Sequence, residues 1–350
     1  MKINEIITYS DFKNLTKEDI DNIVSKLGID ISDKEDIRYY LYSIKNMIFE
    51  NSELNTLVLE RVFAGRTSLK WYRLNLPEEK IPELINKIES DENFFNCKAD
   101  IASDSVTDIT QYTCIKLEEN KYIIRLYVPT GTKTVDNGVS LSKIKTISNT
   151  TAILDVKNNL LEVRSNSKFS DKIARLIMNN LKLTYNGGRL VLGKYRNSIE
   201  LLRDALNNGK FIDTTSIPDE NIELSFEENK LVVETLEALD RYFYDNNESE
   251  LINKLSKMKT DGIPFTQLLL SGMSKIGMAV QQNDNDDLSK KSLYNLFKSY
   301  MTDYSGYITF TLPGDDLNRY TIQVGVTTNT ISFRSSATEE VIDYIKSKIV

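Results

Sequence analysis

Asp155 and Glu162 flank a short polar turn in "TAILDVKNNLLEVRS", with Lys157 and Arg164 beside them. Two carboxylates facing each other across a hairpin can hold Mg²⁺, and a neighbouring cation can orient the water it activates. That is phosphodiesterase or nuclease chemistry. With Asn158-Asn159 as a two-residue turn, whose positive φ asparagine tolerates, the two acids stand directly opposite each other. Three features count against a metal site. The cation is an arginine, which holds its proton. The spacing is short, and acids beside lysine and arginine are ordinary on a solvated sheet face. Asp155 and Glu162 therefore carry only an alternative reading.

A second group of residues suits anions. "LLEVRSNSKFSDKI" (160–173) and "TISFRSSATEEVI" (330–342) both run from a strand through an arginine into a helix start. Parity in the first places Ala152, Leu154, Val156, Leu161 and Val163 on an apolar core face. In the second, Val324, Val326, Ile331 and Phe333 do the same. Arg164 and Arg334 leave those faces just before a helix, where a guanidinium and free N–H groups can converge on phosphate or carboxylate. The plainer expectation is an exposed strand-end arginine followed by a cap, Ser167 or Ser170 in the first copy and Ser336 with Glu339 in the second.

Further cations lie nearby. Lys133 sits in "VPTGTKTVDNG" (128–138), which reads as a hairpin loop and lacks the P-loop pattern. Lys168 follows the first arginine joint. Arg189, Lys194 and Arg196 interleave with Tyr185 and Tyr195 around a hairpin signalled by Asn186-Gly187-Gly188, a mixture that can contact nucleic-acid backbone and bases. The candidate anion-binding set is thus Lys133, Arg164, Lys168, Arg189, Lys194, Arg196 and Arg334.

Composition narrows the chemistry. The 350-residue chain has no histidine, which removes Ser-His-Asp and Cys-His nucleophiles, histidine metal sites and imidazole acid–base catalysis. Cys97 and Cys114 are too few for a thiolate zinc site or a disulfide framework. The expected metal and cofactor content is therefore none. Net charge is −7, unevenly spread: −7 over residues 1–115, +9 over 116–210 and −9 over 211–350. A basic middle between acidic flanks suits a local polyanion or an acidic partner. No apolar run is long enough for a membrane helix. With a polar N-terminus, the chain reads as cytoplasmic.

The elements that must position these residues read as α+β. A helical segment (1–62) contains "LTKEDIDNIVSKLGI", capped at Thr16 and stopped at Gly28, and "SDKEDIRYYLYSIKNMIFE", with Ser32 and Glu35 spaced as a capping box. A basic α+β domain (63–210) follows, then a helical segment (211–302) opened by the linker "DTTSIPDEN", and a C-terminal β-β-β-α unit (303–350). The two β-rich stretches agree in strand, turn and helix order, as an internal repeat would. The leading expectation is a non-catalytic nucleic-acid- or polyanion-binding regulatory protein within a larger assembly. DNA or RNA would meet residues 116–210, with protein partners or self-association besides. A protein–protein adaptor or structural subunit is the first alternative. The Mg²⁺-dependent phosphodiesterase is the second.

Overall fold

The computed structural model describes residues 1–99, 101, 105–136, 138–184, 191–218, 226–245, 248–260, 276–280, 287–291, 294–295, 298 and 301–350. The fold is α+β, with antiparallel strands. The chain forms two compact units, one of Met1–Gly209 with Ile308–Val350, the other of Lys210–Tyr307.

The first unit opens with six short helices: α1 (Ile3–Ile6), α2 (Tyr9–Phe12), α3 (Lys17–Leu27), α4 (Ile37–Ser43), α5 (Lys45–Glu50) and α6 (Ser52–Val62). At the start of α3 the Thr16 hydroxyl accepts from the Asp19 N–H, and Asp19 accepts from the Thr16 N–H. Gly28 ends the helix at φ +62°, a conformation open to glycine without a Cβ penalty. The next cap differs from the expected one. Asp36, not Ser32, accepts the Tyr39 N–H at the start of α4, and the helix breaks at Ile44.

The remaining elements of this part are β1 (Ser68–Arg73), α7 (Ile81–Ser90), β2 (Thr110–Glu118), β3 (Lys121–Asp136), β4 (Leu141–Asp155), β5 (Leu160–Arg164), α8 (Ser167–Asn180) and α9 (Ile199–Ala205). In the second unit β6 (Lys210–Pro218) pairs antiparallel with β7 (Ile276–Ala279), and α10 (Phe226–Asp245) lies beside α11 (Glu248–Thr260). Two expectations fail here. The supposed linker is largely strand β6, and residues 276–279, expected in a helix, are strand β7. The polar run 281–286 lies outside the described residues. The chain closes with β8 (Met301–Leu312), which enters the first unit at Ile308, then β9 (Asp315–Gly325), β10 (Thr330–Phe333) and α12 (Glu339–Ile349).

Strand order in the first unit is β2-β3-β4-β5-β1-β10-β9-β8. An early strand, β1, therefore sits between β5 and the late strand β10. Leu69 of β1 pairs with Arg164 on one side and Ile331 on the other, so all three point to one face of the sheet. Leu161 and Val163 point to the opposite face, where they pack with Ile173, Ala174 and Ile177 of α8 and Leu84 and Ile88 of α7. The helices of residues 1–62 cover the face bearing Ile115 and Ile123. This antiparallel sheet is thus clothed on both sides.

The hairpins β4–β5 and β9–β10 are built alike. Each turns through four residues and ends on an asparagine in the left-handed region, Asn159 at φ +54° and Asn329 at φ +51°. Matched across β1, they present their apolar positions to opposite faces: Leu161 and Val163 to one, Ile331 and Phe333 to the other. The four-residue turn corrects one expectation. Asp155 pairs with Leu160, and Glu162 pairs with Ile153, so the two acids are not opposite each other.

Candidate functional site

Arg125 of β3, Thr151 of β4 and Arg164 of β5 are cross-strand partners in one row. Both guanidiniums are buried, and each is held by carboxylates. Arg125 donates from one nitrogen to both oxygens of Asp11 (2.9 and 2.7 Å), and to the Tyr112 hydroxyl (3.0 Å) and the Thr151 hydroxyl (2.6 Å). Its charge also lies over the Phe63 ring, 5.1 Å from the centroid. Burial opposes the charged form, but Asp11 and Tyr112 outweigh it and hold the guanidinium above its ordinary pKa. Burial pushes the Tyr112 hydroxyl to about 12.

Arg164 donates to Glu162 at 2.7 Å, to the Phe63 carbonyl at 2.9 Å, and through two nitrogens to Glu339 at the start of α12. Glu162 also accepts from the Trp71 indole at 2.9 Å, with the Lys346 ammonium 3.7 Å away. Burial alone would raise the Glu162 carboxyl. Arg164, Lys346 and the Trp71 N–H outweigh it and keep the carboxyl below its ordinary value. With Asp343, which pairs with Lys346, these groups form a network of three acids and two cations.

The expected solvated strand-end arginine is therefore buried in one copy. Arg164 does leave its own core face, but helix α12 and the α6–β1 joint cover the other side. Arg334 is exposed on the opposite face, hydrogen-bonded to Gln323. The caps differ too: Asn166 caps α8 and Thr338 caps α12, which leaves Glu339 to Arg164. Asp155 is occupied locally, accepting the Asn158 N–H at 3.0 Å and its side-chain amide at 2.7 Å. The two acids lie diagonally on one face of the hairpin, each engaged by its own partners, Asp155 by Asn158 and Glu162 by Trp71 and Arg164.

Beside the two arginines lies a cleft of about 760 Å³. It opens where β5 turns into α8 and β4 continues without it, paired only with β3. Asp11 is the lone acid in its lining and is neutralised by Arg125. Arg66 and Lys168 also line it; both are exposed, and among the described residues neither has an ion-pair partner. Lys168 rests 5.6 Å from the Phe169 ring centroid.

Residues 128–138, expected as a loop, are instead mostly strand. β3 and β4 run on beyond their other partners as a two-stranded ribbon, with Lys133 paired to Ile144 and Thr134 to Lys143. Lys133 and Lys143 are exposed, and Val139, Leu141 and Ile144 expose large apolar side chains at and near the tip. Lys194 reaches the Lys348 carbonyl at 3.1 Å, where it caps α12 together with the Tyr195 hydroxyl at 2.6 Å. Arg196 is exposed in a left-handed turn. Arg189 lies outside the described residues. The structure thus brings Arg164 and Lys168 to one cleft, with Lys133 on the adjoining ribbon. It sets Lys194, Arg196 and Arg334 elsewhere.

Sequence reasoning passed over Arg66, Arg125 and Asp11, and read Glu339 as a capping-box acid rather than as the partner of Arg164. Arg125 carried a signal, an arginine inside the apolar run "YIIRLYV". The others become partners only through tertiary packing. No family model matches the chain, and no curated protein sequence matches it either.

Proposed function

We propose that this is a non-catalytic nucleic-acid- or polyanion-binding protein acting within a larger assembly, with its contact surface on the β3–β4 ribbon and the adjoining cleft. The reading rests on one observation. Arg66, Lys133, Lys143 and Lys168 are exposed cations without ion-pair partners among the described residues, and they lie on one ribbon and its base. In a chain of net charge −7 such a local concentration favours a polyanion over nonspecific attraction. A two-stranded ribbon also has the width to enter a nucleic-acid groove. Apolar side chains at its tip suit contact with bases or sugar.

The test is fluorescence anisotropy with single- and double-stranded DNA and RNA across salt concentrations, comparing wild type with Lys133→Glu/Lys143→Glu. Wild-type affinity should fall steeply with salt. Neutralising a phosphate contact lowers the log–log slope by about 0.7–0.9, so the variant should bind more weakly with a shallower slope. Equal binding by both proteins, or none by wild type, overturns the reading and returns the adaptor role.

A further inference from the structure

The cleft is too confined for a duplex and well sized for one nucleotide, since small-molecule sites span roughly 300–1,000 Å³. Its lining is graded. At the rim Arg66 and Lys168 carry positive charges without ion-pair partners among the described residues, Lys168 resting beside the Phe169 ring. Deeper in, Arg125 and Arg164 are consumed by Asp11, Glu162 and Glu339 and serve as fixed floor. Thr67, Thr130 and Thr150 line the walls, and the half-buried Phe169 ring packs against the core with the Lys168 ammonium beside it. The start of α8 is already satisfied by Asn166, whose side chain and carbonyl accept the Lys168 and Phe169 N–H groups. Recognition therefore falls to the side chains.

We propose that this cleft binds a phosphate monoester of nucleotide size, with Arg66 and Lys168 on the phosphate and the threonine-lined walls against the sugar. Two cations match a dianion, and the guanidinium fork of Arg66 fits two phosphate oxygens. A phosphodiester inside a chain carries one charge, whereas a terminal phosphate carries close to two. Thr130, Ile147 and Ser148 belong both to the cleft and to the base of the ribbon. A strand lying along the ribbon would deliver its phosphorylated end to the cleft. That delivery rests on the function proposed above; the affinity for a phosphate monoester does not.

The experiment uses the full chain and three probes: adenosine 5′-monophosphate, and one short single-stranded oligonucleotide bearing either a 5′-phosphate or a 5′-hydroxyl. Titrations compare wild type, Arg66→Glu/Lys168→Glu and Lys133→Glu/Lys143→Glu. The substituted side chains are exposed, and an unchanged unfolding midpoint confirms intact folding. A preference for the phosphorylated end of about tenfold, as charge-assisted contacts give, should vanish in the cleft variant and persist in the ribbon variant. Monophosphate binding that the cleft variant abolishes, with no oligonucleotide binding, supports the cleft as a free-nucleotide site while the ribbon reading fails. Equal affinity for both oligonucleotide ends without monophosphate binding overturns the cleft and leaves the ribbon reading standing. A preference that survives in the cleft variant also overturns it.

Discussion

Arg164, the last residue of β5, and Glu339, the first residue of α12, meet in a two-pronged ion pair across 175 positions of chain. The pair joins a strand of one hairpin to the helix that follows the other. Breaking a buried pair by removing one partner costs about 3–5 kcal/mol, because the remaining charge is stranded. Arg164→Ala should lose stability of that order in urea unfolding. A double-mutant cycle with Glu339→Gln should give a clearly non-zero coupling. Additive losses would mean that the two side chains act independently.

Acid should expose the companion carboxylate. Glu162 is held below its ordinary value of 4.5 in the folded protein. A group held low contributes stability above its unfolded value and loses it as pH falls through the folded one. Wild type should therefore exceed Glu162→Gln in stability at neutral pH, and the gap should narrow steadily below 4.5. A gap that stays constant on acidification would show that Glu162 does not titrate with unfolding.

The two left-handed asparagines should respond differently to glycine. Asn159 donates its amide to the Leu76 carbonyl at 2.9 Å and accepts the Leu76 N–H at 3.2 Å. Asn329 has no side-chain hydrogen bond among the described residues. Glycine suits both backbones, so Asn329→Gly should be nearly neutral. Asn159→Gly should cost about 1–2 kcal/mol for the two lost bonds. Equal midpoints in thermal unfolding would remove the clamp from the account.

Thiol labelling should count one cysteine in the native protein and two in denaturant. Cys114 is buried in β2 and its thiol is pushed well up by burial, whereas Cys97 is partly exposed. Fast native labelling of both would show that β2 opens readily.

Much of this was legible because period-two patterns survive a shift of two residues. Reading the turn before Leu160 as two residues rather than four misplaces Asp155 against Glu162. It leaves Leu161 and Val163 on their correct face. Thr16 and Gly28 were legible as local caps. Arg164 was not, because its burial depends on α12 and the α6–β1 joint, which no local pattern can place. The ribbon was hidden by Pro129, Gly131 and Gly138, which read as loop punctuation. Yet "TKTV" and "LSKIKTI" carry the strand alternation, and the bulge between Pro129 and Gly131 absorbs the interruption.

The position of β1 has a consequence for the order of assembly. Its neighbour β5 is available early in synthesis, but β10 emerges only after the whole of the second unit has been made. Until then β1 presents a bare edge, the kind of surface that recruits stray strands. Such distant pairing also slows folding. The sole tryptophan, Trp71, lies in this strand with its indole on Glu162. Its emission is a built-in reporter of the burial of β1 against β5.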